Sequence, residues 1–205
     1  MAATAPAFVV GLILCLYWAR VLHLAGKIRR DVGHTANVIP PGRLGCLTRA
    51  IWFPVVFLWI AIPLSVSIFS APPWILRPII VRPPLSWIAL AVALAAFVLT
   101  LICWKKMGKS WRMGIDPLEK TALIVTGPFA RVRHPIYALS SVLMLATVAV
   151  VPAPLMIAVG IVHLILLQIE ARREEKYLAA VHGAAYLDYR ARTGRFLPKV
   201  SANNH

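Results

Sequence analysis

Five stretches dominated by apolar residues, separated by basic or proline-rich segments, set the pattern of this chain. They cover about residues 7–24, 51–69, 85–104, 136–151 and 155–169. A bilayer core of about 30 Å takes roughly 20 helical residues to cross. The pattern therefore predicts an all-α integral membrane protein with about five transmembrane helices. Only "VPAP" separates the last two stretches, and its prolines predict a tight turn. Helices 4 and 5 should form an antiparallel hairpin whose arms are both short for a full crossing. Pro54 and Pro63 predict a bend in the second helix. The opening "MAATAPAFVVGLILCLYWAR" carries no basic segment ahead of its apolar run, so it reads as a retained first span. With no internal repeat, residues 1–205 form one membrane domain. Residues 1–103 hold the first three spans, and 104–205 hold the hairpin and its polar flanks.

Composition agrees: 60% of the 205 residues are hydrophobic, against about 45–50% in soluble domains. Charge then adds an orientation. The net charge of +15 comes from 22 Lys and Arg against 7 Asp and Glu, which in a soluble protein would suggest nucleic acid. With the N-terminus outside, however, 20 of those 22 fall on the inner side and only Arg77 and Arg82 on the outer. That asymmetry predicts N-out/C-in in the cell membrane and accounts for the charge without a nucleic-acid partner. Cys15, Cys46 and Cys103 lie far apart without a CxxC pair, so free thiols and no metal site are expected.

Chemistry gathers on the predicted inner face. Six of the seven acidic residues fall in the third loop and the tail, Asp31 being the exception. In "TGPFARVRHPIY", Pro135 suits the first position of helix 4, which puts Arg133 and His134 at a helix N-terminus that favours an anion. Ordinary inner-flank charge with a proline cap explains Arg131 and Arg133 equally well. In "QIEARREEKYL" the fifth helix continues. Glu170 and Glu174 share a face and Arg172 with Glu175 makes an i,i+3 pair, as a solvated, salt-bridged extension would. The hairpin nevertheless returns these residues to the side of Arg133 and His134. Carboxylates, arginines and a histidine converging there would suit a zwitterion with separate carboxylate and ammonium groups. Tyr186 and Tyr189 read as an interfacial aromatic and basic helix. His23 and His163 raise either a functional question or a packing role. Trp111 and Arg112, beside Gly108 and Gly114, either line a pocket or anchor the loop.

"GPFARVRHPIY", a hydrophobic hairpin and then "EEKYLAAVHGAAYLDYRARTGRFLP" together resemble the isoprenylcysteine carboxyl methyltransferase family and its phospholipid methyltransferase relatives. The upstream "GKSWRMGIDP" is similar to the segment that precedes this core in bacterial members. The likeness covers roughly residues 104–198. "HG" at 182–183 departs from it, since family members often carry an aromatic before that glycine. The resemblance implies a membrane methyltransferase that uses S-adenosylmethionine, bound on the cytoplasmic side by the C-terminal half, and a lipophilic acceptor reacting through a carboxylate, amine or thiol. By motif it implies cofactor contacts from Gly127, His134, Pro135, Tyr137, Glu174 and Glu175. It also implies catalytic roles for Arg133, Arg172, Arg173 and Glu174, with Arg133 and Arg172 or Arg173 binding either the cofactor's carboxylate or the acceptor. Two other readings compete. A membrane NADPH-dependent sterol or enone reductase shares an RHP…E…Y…P pattern, but its usual Trp and Cys in the tail are missing here. A non-enzymatic transporter or assembly factor would scatter polar residues through the spans.

Overall fold

A computed structural model describes residues 4–32, 43–111 and 122–199. His34, Arg112, Gly114 and most of "GKSWRMGIDP" lie outside the described residues. Among the described residues there are six α-helices: α1 Thr4–Val32, α2 Arg43–Ile68, α3 Pro83–Met107, α4 Pro135–Val150, α5 Pro154–His182 and α6 Ala184–Arg192. Proline occupies the first turn of α3, α4 and α5, where its missing N–H costs no hydrogen bond. Gly108 and Gly183, at φ +53° and +54°, end α3 and α5 in a conformation that side chains with a Cβ disfavour.

Among the described residues four helices, α1, α2, α3 and α5, are long and apolar enough to cross a membrane, and α4 is a shorter apolar helix. At about 1.5 Å per residue the 16 residues of α4 reach only about 24 Å. The expected short arm is therefore α4 alone. α5 is a single helix of 29 residues, because its polar half continues the helix beyond the apolar stretch without a breaker. The same effect lengthens α1 and α2. Arg29 and Arg30 form the last turn of α1, and Arg49 lies within α2. α2 stays helical through Pro54 and Pro63.

α4 packs chiefly against α3 and also against α5, while α1 lies against α2 and α2 against α5. The core holds few polar groups, and several are paired. Trp59 Nε1 donates to Thr147 Oγ1 at 3.1 Å, joining α2 to α4. His163 lies 3.0 Å from Ser140 Oγ and packs against the rings of Trp52 and Trp59, which gives it a packing role; His23 is exposed. Gly160 lets α5 close on α4, since a Cβ there would meet Val148 Cγ2 at 3.1 Å. Gly160→Val is expected to cost about 1–3 kcal/mol through overpacking, read as a lowered thermal midpoint in detergent, with Gly160→Ala milder.

Candidate active site

The polar half of α5 meets the start of α4 at one end of the bundle. Gly127–Ala130 forms a short 3-10 turn ahead of α4, with Gly127 at φ +64° over the Lys106 side chain. The next residues pair with the end of the chain. A parallel bridge joins Val132 to Gly194, while Arg133 N donates to Gly194 O at 2.9 Å and His134 N to Arg195 O at 3.0 Å. Residues 193–196 thus form a strap that fixes the backbone of Arg133 and His134. α6 holds the strap in turn: Tyr189 Oη donates to Phe129 O at 2.6 Å and Thr193 Oγ1 to Tyr189 O at 2.6 Å. Tyr186 and Tyr189 are both buried, so one face of α6 braces the strap while its other residues are exposed. Burial pushes both phenols up to about 12, and they stay neutral.

Glu175 is the hub. Its carboxylate, 6% exposed, accepts from Arg133 Nε at 3.1 Å and Nη2 at 3.0 Å. It also accepts from Arg195 Nε at 2.9 Å and Nη2 at 2.8 Å. The expected pairing of Glu175 with Arg172 does not form. Arg172 points outward, and the pairs that win are fixed by the strap and by α4. The local i,i+3 pair is Glu170 with Arg173 instead, at 2.9 Å. Arg133 further donates through Nη1 to the carbonyls of Thr193 and Arg190, so four of its five N–H groups have protein acceptors.

His134 faces both acidic residues, with Nδ1 3.5 Å from Glu174 Oε2 and Nε2 3.4 Å from Glu175 Oε1. The Nε2 contact is an ion-pair distance without hydrogen-bond alignment, which leaves Nε2 buried and unbonded. The ring stacks on Tyr137 at 5.3 Å and 4°. Burial opposes its charge, but Glu174 and Glu175 outweigh burial and raise the imidazole above its usual value of 6.5. Arg195 is likewise raised, chiefly by its hydrogen bonds to Glu175. Because the folded value for His134 lies above the unfolded one, its contribution to stability is complete below about pH 6.5 and fades as pH rises through the folded value. The midpoint difference between wild type and His134→Asn should therefore be largest near about pH 6 and shrink towards about pH 9.

A cavity of about 750 Å³, counting its open mouth, lies beside this cluster. Of the residues marked by the sequence, Arg133, His134, Pro135, Tyr137 and Glu174 line it. Glu175 stands behind them as their support, while Gly127, Arg172 and Arg173 lie outside the wall. The opposite wall comes from the first two helices and the end of α3: Tyr17, Trp18, Arg49, Trp52, Trp104 and the adjoining Trp111. Trp111 thus lines the pocket. Ser140 and Leu167 complete its inner surface. Sequence reasoning missed Arg49, Trp52, Tyr17 and Arg195. The one available signal was an arginine a single turn before a tryptophan within an otherwise apolar helix, "RAIW".

The wall suits S-adenosylmethionine on chemical grounds. Glu174, 35% exposed, offers a carboxylate to an ammonium, the unbonded Nε2 of His134 offers a polar contact, and the indole faces suit a sulfonium. Comparison with curated proteins finds no match. Residues 87–180, from α3 to the last turn of α5, match the family model described as Isoprenylcysteine carboxyl methyltransferase (ICMT) family. That segment carries the RHPIY and EE motifs and three of the helices that enclose the cavity, and the match supports membership of the ICMT family.

Proposed function

We propose that this protein is an integral-membrane methyltransferase that uses S-adenosylmethionine and acts on a lipophilic acceptor. The observation that carries this reading is the two-sided cavity, with charged groups from α4 and α5 facing an aromatic wall from α1, α2 and α3. The family match points to the same reaction class. When bound, S-adenosylmethionine supplies an electrophilic methyl group on a sulfonium.

The chain's own residues have definable tasks in this reading. Glu174 accepts an ammonium. His134, which Glu174 and Glu175 favour as imidazolium, donates hydrogen bonds and is not a strong base. Arg133, saturated by Glu175 and the strap, keeps the α4 N-terminus in place. The indoles exclude water and so strengthen the electrostatics within. A displacement at a methyl carbon depends chiefly on proximity and alignment, which a wall braced by α6 and the strap provides. A carboxylate acceptor needs no general base, whereas an amine would have to lose a proton. The short α4 lets a lipophilic acceptor arrive from the bilayer while the cofactor arrives from the aqueous side. The distribution of basic residues supports N-out/C-in in the cell membrane, with this end of the bundle in the cytoplasm.

Ligand stabilisation tests the reading. A hundredfold excess of S-adenosylhomocysteine over its Kd should stabilise the purified protein by about 2.7 kcal/mol, and NADPH should have no effect. Protection by NADPH without protection by S-adenosylhomocysteine would contradict it.

A further inference from the structure

Glu170 lies on α5 between Leu167 and Glu174, the two residues by which that helix lines the cavity. It is 4% exposed and stands behind the wall. A carboxylate buried in a membrane helix is costly and calls for partners. Its Oε1 accepts from Arg173 Nη1 at 2.9 Å, within α5, and from Thr48 Oγ1 at 2.8 Å, across to α2. The first is a local i,i+3 pair of a kind common on helices. The second joins residues 122 positions apart and holds α2 at hydrogen-bonding distance from α5. Thr48 Oγ1 also lies 3.0 Å from Gly45 O, but a hydroxyl has one proton and a carboxylate is a stronger acceptor than a carbonyl. Thr48 directly precedes Arg49 and lies one turn before Trp52, the two residues by which α2 lines the cavity. The tie therefore sits between two cavity walls. Further along, α2 meets α5 through the rings of Trp52 and Trp59 on His163. The hydrophobic part of such packing is non-directional, whereas a hydrogen bond demands a distance and an angle.

We infer that Glu170 is a positioning residue for this cavity: through Thr48 it fixes the register of α2 against α5, and with it the place of Arg49 and Trp52 relative to Glu174. Glu170 touches no ligand in this role and acts through Thr48. Its charge matters because one oxygen receives both a guanidinium and a hydroxyl, and a neutral amide oxygen is a weaker acceptor for both. The inference rests on the proposed methyltransferase reading for the identity of the ligand, but not for the tie itself.

The test uses the full chain in a non-ionic detergent. Amide hydrogen exchange over residues 45–52 reads how firmly α2 is held, and concentration-dependent thermal stabilisation by S-adenosylhomocysteine reads the site. Thr48→Val keeps the volume and removes the hydroxyl, whereas Thr48→Ser removes a methyl and keeps the hydroxyl. Thr48→Val and Glu170→Gln are expected to speed exchange over 45–52 roughly tenfold and to weaken S-adenosylhomocysteine binding roughly fivefold. Thr48→Ser should stay within about twofold of wild type in both readouts, because its hydroxyl still reaches Glu170. Combining Thr48→Val with Glu170→Gln should be no worse than Glu170→Gln alone, since both break one interaction. If Glu170→Gln does not fold, the two Thr48 variants decide. Equal damage from Thr48→Ser and Thr48→Val would mean that Thr48 only fills space, and would overturn the inference. Faster exchange with unchanged affinity would overturn it too, as would wild-type behaviour of Thr48→Val in both readouts. Failure of wild type to bind S-adenosylhomocysteine, with the expected exchange pattern present, would contradict the methyltransferase reading and still support the tie between α2 and α5.

Discussion

Glu175→Gln is expected to lower the thermal midpoint by on the order of 10 °C, or to prevent accumulation of folded protein. The substitution keeps the shape of the side chain and removes the charge that Arg133, Arg195 and His134 share. Removing one partner of a buried ion pair costs about 3–5 kcal/mol, and 1 kcal/mol corresponds to about 2–4 °C for a chain of this size. The effect should extend to the cavity, because Arg133 and His134 line it and their placement depends on Glu175. Affinity for S-adenosylhomocysteine should therefore fall together with stability. Combining Glu175→Gln with Arg195→Gln should recover part of the loss, since one unpaired cation is then removed. A midpoint within about 2 °C of wild type would show that Glu175 is not the hub described, since so small a change corresponds to less than about 1 kcal/mol.

Gly194→Ala should be the second most damaging change. A Cβ at this position would lie 1.7 Å from the carbonyl oxygen of Leu197 and 2.9 Å from its carbon. Both are backbone atoms, so no side-chain rotation relieves the clash and the strap itself must move. Movement breaks the backbone hydrogen bonds from Arg133 to Gly194 and from His134 to Arg195 and pulls Arg195 away from Glu175. The combined cost is about 2–4 kcal/mol, from overpacking and lost hydrogen bonds. Gly26→Ala on α1 is the matched control: nothing lies within 4 Å of its added Cβ, and alanine favours a helix. Denaturation midpoints of the two variants should therefore move in opposite directions, and only Gly194→Ala should weaken S-adenosylhomocysteine binding.

Much of this was legible in the residues because the relevant physics is local. Pro83, Pro135 and Pro154 mark helix starts, and "VPAP" marks a turn short enough to bring α5 back beside α4. Together these were enough to place the RH pair opposite the EE pair. The partners within that cluster were less accessible. Glu175 was expected to pair with Arg172 three residues away, but Arg133 and Arg195, at 42 and 20 residues' separation, hold it instead. Helical spacing describes which residues can meet along one helix and says nothing of a strap arriving from elsewhere in the chain. Arg49 was counted with the inner flank because charge asymmetry gives the side of the membrane and not the face of the helix. α2 starts at Arg43, well ahead of its apolar stretch, so Arg49 lies on a helix whose inner face closes the cavity. The basic neighbours Arg190 and Arg192, which point to solvent, predict an interfacial place for Tyr186 and Tyr189. The tyrosines themselves point the other way.

In the proposed function this cavity joins a charged cofactor end to a lipophilic acceptor end for methyl transfer. Its most direct test incubates purified protein with methyl-labelled S-adenosylmethionine and a membrane lipid extract, then follows label into the organic phase. The expected result is a labelled lipophilic product that requires the protein and is strongly reduced in Glu174→Gln, a change at the cavity wall that leaves the Glu175 hub intact. No transfer into any lipophilic product by folded protein that binds NADPH and not S-adenosylhomocysteine would contradict it.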